Sequence, residues 1–224
     1  MSTVFKKIID KEIPAKIIYE DDDLLIINKP PFLLTHPTLK KVDITLANGI
    51  VYYFNDKYKK KLVPRFVNRL DMNTSGLIVI AKNAFTQSFF QSENVNIEKK
   101  YLAIAEGIIE DDHFIIEKSI YKDGDRLDRI IDERGQYAKT EFNVIERFKN
   151  IGVTLVECKL YTGRTHQIRV HLSHFFFPII GDSVYGRKDE FPRQMLHAYE
   201  LSFIHPITKK SINVIGEFHK DFND

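Results

Sequence analysis

The sequence predicts an α+β fold, and three observations carry that expectation. Segments that read as strands outnumber those that read as helices. Several of the strand-like segments alternate apolar and polar residues, which predicts a sheet with one wet face and mostly antiparallel pairing. Finally, there is no regular strand–helix alternation, internal repeat or Gly/Ser/Pro linker, so one continuous domain is expected, with room for two lobes.

Taken in order, LLIIN at 24–28 reads as a buried strand closed by Lys29-Pro30-Pro31. Asp43 is the expected N-cap of a helix over 44–57, with Leu46, Ile50 and Tyr53 on its inner face. The apolar run GLIVIAK from Gly76 predicts a second buried strand, and 84–91 a short helix. Strands are expected at 101–109, 114–117, 137–148 and 153–160. After a Thr162-Gly163 turn, Ile168, Leu172, Phe175 and Phe176 recur at helical spacing and predict an amphipathic helix over 165–176. Arg169 lies one turn from His166 on that helix, off the apolar stripe. Strands at 196–204 and 210–216 complete the reading.

Composition narrows the function classes. With 43% hydrophobic and 29% charged residues over 224 positions, the chain can bury a sizeable core. Cys158 is the only cysteine, which excludes an intrachain disulfide and a cysteine-based zinc site. The longest apolar run, 175–180, is six residues and contains Pro178, and the N-terminus has no signal-peptide core. No membrane span is expected, and the cytoplasm is the expected location. A net charge of +2 says little about nucleic acid, but its distribution says more. Lys57, Lys59, Lys60, Lys61, Arg65 and Arg69 are interrupted by no carboxylate. Between Glu157 and Asp182 there is no acidic residue, while Lys159, Arg164, Arg169 and three histidines are present.

Several motifs fail on their chemistry. Asp71-x-Asn73-x-Ser75-Gly76 copies the start of an EF-hand loop, but Lys82 stands where a bidentate Glu is required. Gly181 to Gly186 has the glycine spacing of a phosphate loop, yet Arg187-Lys188 replaces Lys-Ser/Thr. His166, His171 and His174 do not share one helical face and have no nearby carboxylate, so no metal is expected. The opening IIDKEIPAKIIYEDDDLL is similar to that of histidine-triad nucleotide hydrolases, whose alternating histidines are missing here.

Two constellations remain. Residues 68–76, NRLDMNTSG, place a carboxylate on a turn beside an arginine, although Asp and Asn are common in any turn. Residues 162–172, TGRTHQIRVHL, lead a turn crowded with donors into a helix, a combination suited to anions.

With these residues in view, the chain resembles the RluA-type pseudouridine synthases along nearly its whole length. The matching segments are DDDLLIINKPPFLLTHP (21–37), NRLDMNTSGLIVIAKN (68–83), KKYLAIAEG (99–107) and QYAKTEFNVIERF (136–148). YTGRTHQIRVHL with PIIGDSVYG (161–186) and LHAYELSFIHP (196–206) follow in the family's order. The resemblance implies a bent, mostly antiparallel mixed sheet with flanking helices and a central catalytic cleft. It implies an isomerase that converts uridine in ribosomal or transfer RNA to pseudouridine without cofactor or metal, acting as a monomer on structured RNA.

Asp71 is the implied nucleophile. Tyr101 is the implied active-site tyrosine, whose ring stacks on the base. Arg169 is the implied cation beside the aspartate, since a guanidinium favours an ionised carboxylate. Arg69 is the residue implied to fill the gap left by the extruded uridine. Arg164, Lys82 and His166 are implied phosphate or sugar contacts. Asn68, also grouped with the RNA-binding residues, stands where the family usually has His, which changes a titratable ring for an amide. The same resemblance predicts residues 1–20 as a short extension and 21–224 as a single catalytic domain, without the RNA-binding S4 module that some relatives carry. A non-catalytic RNA-binding protein of the same fold is the competing reading, and a nucleotide hydrolase the third.

Overall fold

The computed structural model describes residues 15–37, 45–59, 62–92, 95–187 and 190–222. In chain order its elements are β1 (Lys16–Glu20), β2 (Leu24–Lys29), α1 (Leu46–Tyr58), β3 (Arg65–Phe66), β4 (Ser75–Ala81) and α2 (Ala84–Gln91). Next come β5 (Glu98–Glu106), β6 (His113–Glu117), β7 (Ile120–Tyr121), β8 (Ile130–Ile131), β9 (Lys139–Phe148) and β10 (Val153–Leu160). α3 (Gln167–His174), β11 (Leu196–Ile204) and β12 (Ser211–Ile215) follow, before a 3-10 turn over Lys220–Phe222. All the named strand pairings are antiparallel, and the fold is α+β. The chain divides into two compact units: Met1–Ile97 with Tyr199–Asp224, and Glu98–Ala198.

In the first unit β2 is flanked by β1 and β4, β3 lies along β4, and β12 along β11. All seven residues of β4 are buried. Leu77 and Val79 pack with Leu24, Ile26, Leu201, Phe203 and Val214, and Phe90 of α2 closes that cluster. The alternate residues Leu25, Ile27, Ile78 and Ile80 are also buried, so these strands are covered on both faces and read as continuous apolar runs. The β1–β2 turn is clamped by Asp21, whose Oδ1 accepts from the Asp23 and Leu24 amides at 2.8 and 2.7 Å.

The expected cap Asp43 lies outside the described residues. The cap observed on α1 is Thr45, whose hydroxyl accepts from Asn48 N. Leu46, Ile50 and Phe54 form the buried face. Tyr53, expected on that face, is half-buried and instead donates to Glu20 Oε2 at 2.6 Å.

The second unit carries the strand order β5-β10-β9-β6. β5 starts at Glu98, earlier than expected, and its burial alternates: Tyr101, Ala103 and Ala105 are buried, their neighbours only partly. Thr154, Val156 and Cys158 alternate in the same way on β10, where Cys158 pairs in register with Tyr101. The wet-face expectation holds in this unit.

α3 departs from its prediction. It starts after His166, which sits in the left-handed region at φ 61, and every residue from Gln167 to Leu172 is buried. Phe176, expected on an apolar stripe, is 90% exposed, and Phe175 is exposed as well. The helix is therefore interior, not amphipathic. Val170 packs there against Ile120 and Ala138.

Candidate active site

The first constellation forms a braced loop between β3 and β4. Thr74 N donates to Asp71 O at 3.2 Å, which closes a tight turn with Asp71 at its head. Beneath it Lys29 is buried, and its ammonium donates to the carbonyls of Pro30, Leu33 and Met72 at 2.8, 3.0 and 3.1 Å. Thr35 Oγ1 donates to Leu70 O at 2.9 Å, so the residue before Asp71 is held as well. Asn68 uses both ends of its amide on β4, donating to Leu77 O and accepting from Val79 N at 2.8 Å. Asn68 thus braces the loop. Its amide supplies a donor and an acceptor together, which a single histidine tautomer also supplies from two nitrogens. Asp71 is half-buried, Arg69 is exposed, and the two share this loop.

The second constellation forms a cluster around α3. Arg169 is 4% exposed and Asp182 fully buried. The guanidinium grips Asp182 with two parallel bonds, Nε to Oδ2 at 2.7 Å and Nη2 to Oδ1 at 2.8 Å. Burial works to raise the Asp182 pKa, but Arg169 and the Val184 and Tyr185 amides outweigh it and hold the carboxyl below its ordinary value. The ring of Tyr185 lies 5.1 Å from the Arg169 guanidinium carbon. Its hydroxyl takes the Arg129 amide at 2.7 Å and hydrogen-bonds His166 Nδ1 at 2.8 Å. Burial pushes that hydroxyl's pKa up to about 12.

Asp182 and Tyr185 were not singled out from sequence. The signal was the carboxylate that ends the acid-free stretch, thirteen residues from Arg169 and so beyond any helical pairing rule. Tyr101, on β5, is buried.

The turn before α3 is fixed by Gln167. Its Oε1 accepts from Thr162 Oγ1 and Arg164 N at 2.7 and 3.0 Å, and its Nε2 donates to Lys139 O and Thr140 Oγ1 at 3.0 and 2.9 Å. Thr140 Oγ1 in turn meets His171 Nδ1 at 2.9 Å, and His171 Nε2 meets Lys118 O at 3.2 Å. A carbonyl only accepts, so these partners put the proton on Nε2 and leave Nδ1 to accept from Thr140. His171 is an interior bonding histidine. Arg164 Nε donates to Tyr137 O at 3.0 Å.

Lys82, an implied phosphate or sugar contact, has its bonds within the first unit. Its ammonium is buried and binds Glu20 Oε1 at 2.9 Å, Tyr58 OH at 2.6 Å and the Asp21 carbonyl. The Lys82 charge is thus met inside the protein by Glu20.

The glycines at 181 and 186 also have a reason other than phosphate. A Cβ on Gly181, at φ +74, would meet Arg193 O at 1.9 Å, and one on Gly186 would meet Asp182 O at 2.9 Å. Among the described residues, Asp21, Asp23 and His205 bring ligand atoms within 4.8 Å. His205 Nδ1 accepts from the Ile207 and Thr208 amides, so Nε2 carries the proton that bonds Asp21 Oδ2 at 2.8 Å. That trio is a turn clamp, not a cation site.

Comparison with known proteins bears on what these two constellations belong to. A family model described as RNA pseudouridylate synthase matches residues 23–174. An uncharacterised RNA pseudouridine synthase of Bacillus subtilis, YlyB, is 38% identical over 92% of this chain and 69% of its own length. Ribosomal large subunit pseudouridine synthase D of Zymomonas mobilis is 35% identical over 94% of this chain and 71% of its own. The solved structure of human RNA pseudouridylate synthase domain containing 4 is similar in fold, with a TM-score of 0.74 at 22% identity over 92% of this chain and 90% of that one. The matched region runs through the Asp71 loop, Tyr101 and Arg169, and on this evidence of sequence and fold together the chain belongs to the RluA-type RNA pseudouridine synthases.

Proposed function

We propose that this chain isomerises specific uridines of ribosomal or transfer RNA to pseudouridine, with Asp71 as the reacting carboxylate. One observation carries the proposal: the family's aspartate motif folds here into a turn braced from below by Lys29 and from the sides by Thr35 and Asn68. A braced turn holds a reacting group in place while a nucleotide is brought to it.

The reaction breaks the C1′–N1 bond, turns the uracil and forms a C1′–C5 bond. A proton leaves C5 and N1 gains one. Substrate and product are isomers, so the balance needs no oxidant or co-reactant. The Asp71 carboxylate stabilises or traps the electron-poor C1′, or takes the 2′ proton. Tyr101 stacks on the extruded base and handles the C5 proton. Arg169 supplies the cation for the Asp71 carboxylate. The grip of Asp182 supports that role, because a planar guanidinium fixed along its Nε/Nη2 edge also has its Nη1 edge fixed in direction. Arg69 occupies the gap in the RNA stack, where extrusion costs a few kcal/mol and loops are therefore preferred. Arg164 and His166 contact the RNA backbone. We place the enzyme in the cytoplasm as a monomer without metal or cofactor.

The test uses total RNA from a strain lacking the gene, labelled with tritium at uridine C5. The wild-type protein is expected to release label to water, and Asp71→Ala to lower that release by ~10³-fold or more. Release undiminished in Asp71→Ala rejects the nucleophile assignment. Binding without release makes the chain an RNA-binding protein of this fold, and free nucleotides make it a hydrolase.

A further inference from the structure

Lys99 stands out among the lysines of the second unit. It lies on β5 two residues before Tyr101, so the two side chains leave the same face of the strand about 7 Å apart. On the opposite face each cation has a carboxylate. Lys159 meets Glu98 at 2.6 Å, and Lys100 lies 3.9 Å from Glu98 and 3.8 Å from Glu157. The Lys99 ammonium has no hydrogen bond or ion pair among the described residues, although the residue is half-buried. Desolvation is the only influence that moves it, lowering its pKa below the ordinary lysine value.

The neighbouring turn passes close to the ammonium without a side chain at its nearest point. A Cβ built on Gly163 would sit 4.0 Å from Lys99 Nζ. Gly163 is not in the left-handed region, so the backbone there does not demand glycine. A longer side chain at 163 would cap the lysine. Two residues of this turn are already committed elsewhere, Thr162 Oγ1 to Gln167 and Arg164 Nε to Tyr137 O, so the turn is rigid and supplies no counter-charge.

We infer that Lys99, beside the open turn at Gly163, binds an RNA backbone phosphate adjacent to the nucleotide that Tyr101 contacts. A partly desolvated ammonium with no counter-ion among the described residues is a poor structural element and a good anion receptor. The inference rests on the proposed function, because it places the phosphate relative to Tyr101.

The experiment measures the half-saturating concentration of the same tritiated total RNA across a series of KCl concentrations. Lys99→Gln is expected to raise half-saturation roughly tenfold at low salt, more than it lowers the maximal rate. It should also flatten the plot of log half-saturation against log KCl by about 0.7, the loss of one phosphate contact on single-stranded RNA. Lys99→Arg should retain the wild-type slope. Gly163→Asp, which supplies an internal carboxylate next to an intact Lys99, should reproduce the Lys99→Gln slope. A Lys99→Gln slope equal to that of the wild type overturns the inference while leaving the uridine-isomerase reading intact. Absence of release by the wild type overturns both.

Discussion

At the scale of single residues, the behaviour of the second unit turns on a charge pair and a histidine. Arg169 and Asp182 are both buried, and removing one partner strands the other in low dielectric. Asp182→Asn is therefore expected to cost about 3–5 kcal/mol, read as a lower urea midpoint, whereas breaking an exposed, solvent-screened pair such as Arg134–Asp132 should leave that midpoint nearly unchanged. Arg169→Ala should lower the rate of tritium release more than it weakens RNA binding. Equal release by wild type and variant would remove Arg169 from the reaction. The sequence made Arg169 a candidate through its motif, but not its anchor, because a contact thirteen residues away depends on how the chain returns after α3. The same holds for Lys82, whose motif position suggested RNA while its contact to Glu20 depends on long-range packing.

At the scale of elements, most strands were readable because burial on two faces produces unbroken apolar runs, as in β4, and burial on one face produces alternation, as in β5. β1 was not singled out: it is half-exposed and carries Lys16, Tyr19 and Glu20 among its apolar residues. The start of α3 was misplaced because His166 adopts a left-handed conformation that helical periodicity does not reveal. The turn after α3 offers a paired test. Gly181→Ala should cost about 2 kcal/mol or more, since its Cβ would collide with the Arg193 carbonyl. Gly152→Ala, at φ +70 with open space around it, should cost only the backbone term of about 1 kcal/mol. Thermal melts of the two variants give the comparison, and equal losses would mean that the Gly181 contact relaxes freely.

At the scale of the whole molecule, acid stability should fall in two windows. Burial lowers the His171 pKa to about 4 from 6.5, with the Lys118 carbonyl opposing the shift. The unfolded chain therefore binds a proton that the folded chain refuses, and stability declines as pH falls from 6.5 towards 4, by at most about 3 kcal/mol. Glu20 behaves oppositely. Burial works to raise its pKa, but hydrogen bonds from Lys57, Tyr53, Tyr58 and Lys82 hold it at about 2. Its stabilisation is present above the unfolded value of 4.5 and is lost as pH drops from there to 2. Urea midpoints from pH 7 to pH 3 check both windows. In His171→Phe the upper window should shrink to the share of His36, whose pKa burial and Arg69 also lower, while the lower window remains; an upper window of unchanged size would remove His171 from it. The family itself was readable from linear motifs, whereas the RNA target was not, since loop shape and charge contacts carry that choice.

The ammonium of Lys29 sits out of reach beneath the Asp71 turn, bonded to three carbonyls. Acylating reagents that modify surface amines should therefore spare it in the closed state and label it only when the turn lifts. The rate at which that one position acquires an acetyl group, followed by mass spectrometry with and without RNA, becomes a clock for how often the reacting carboxylate's platform opens.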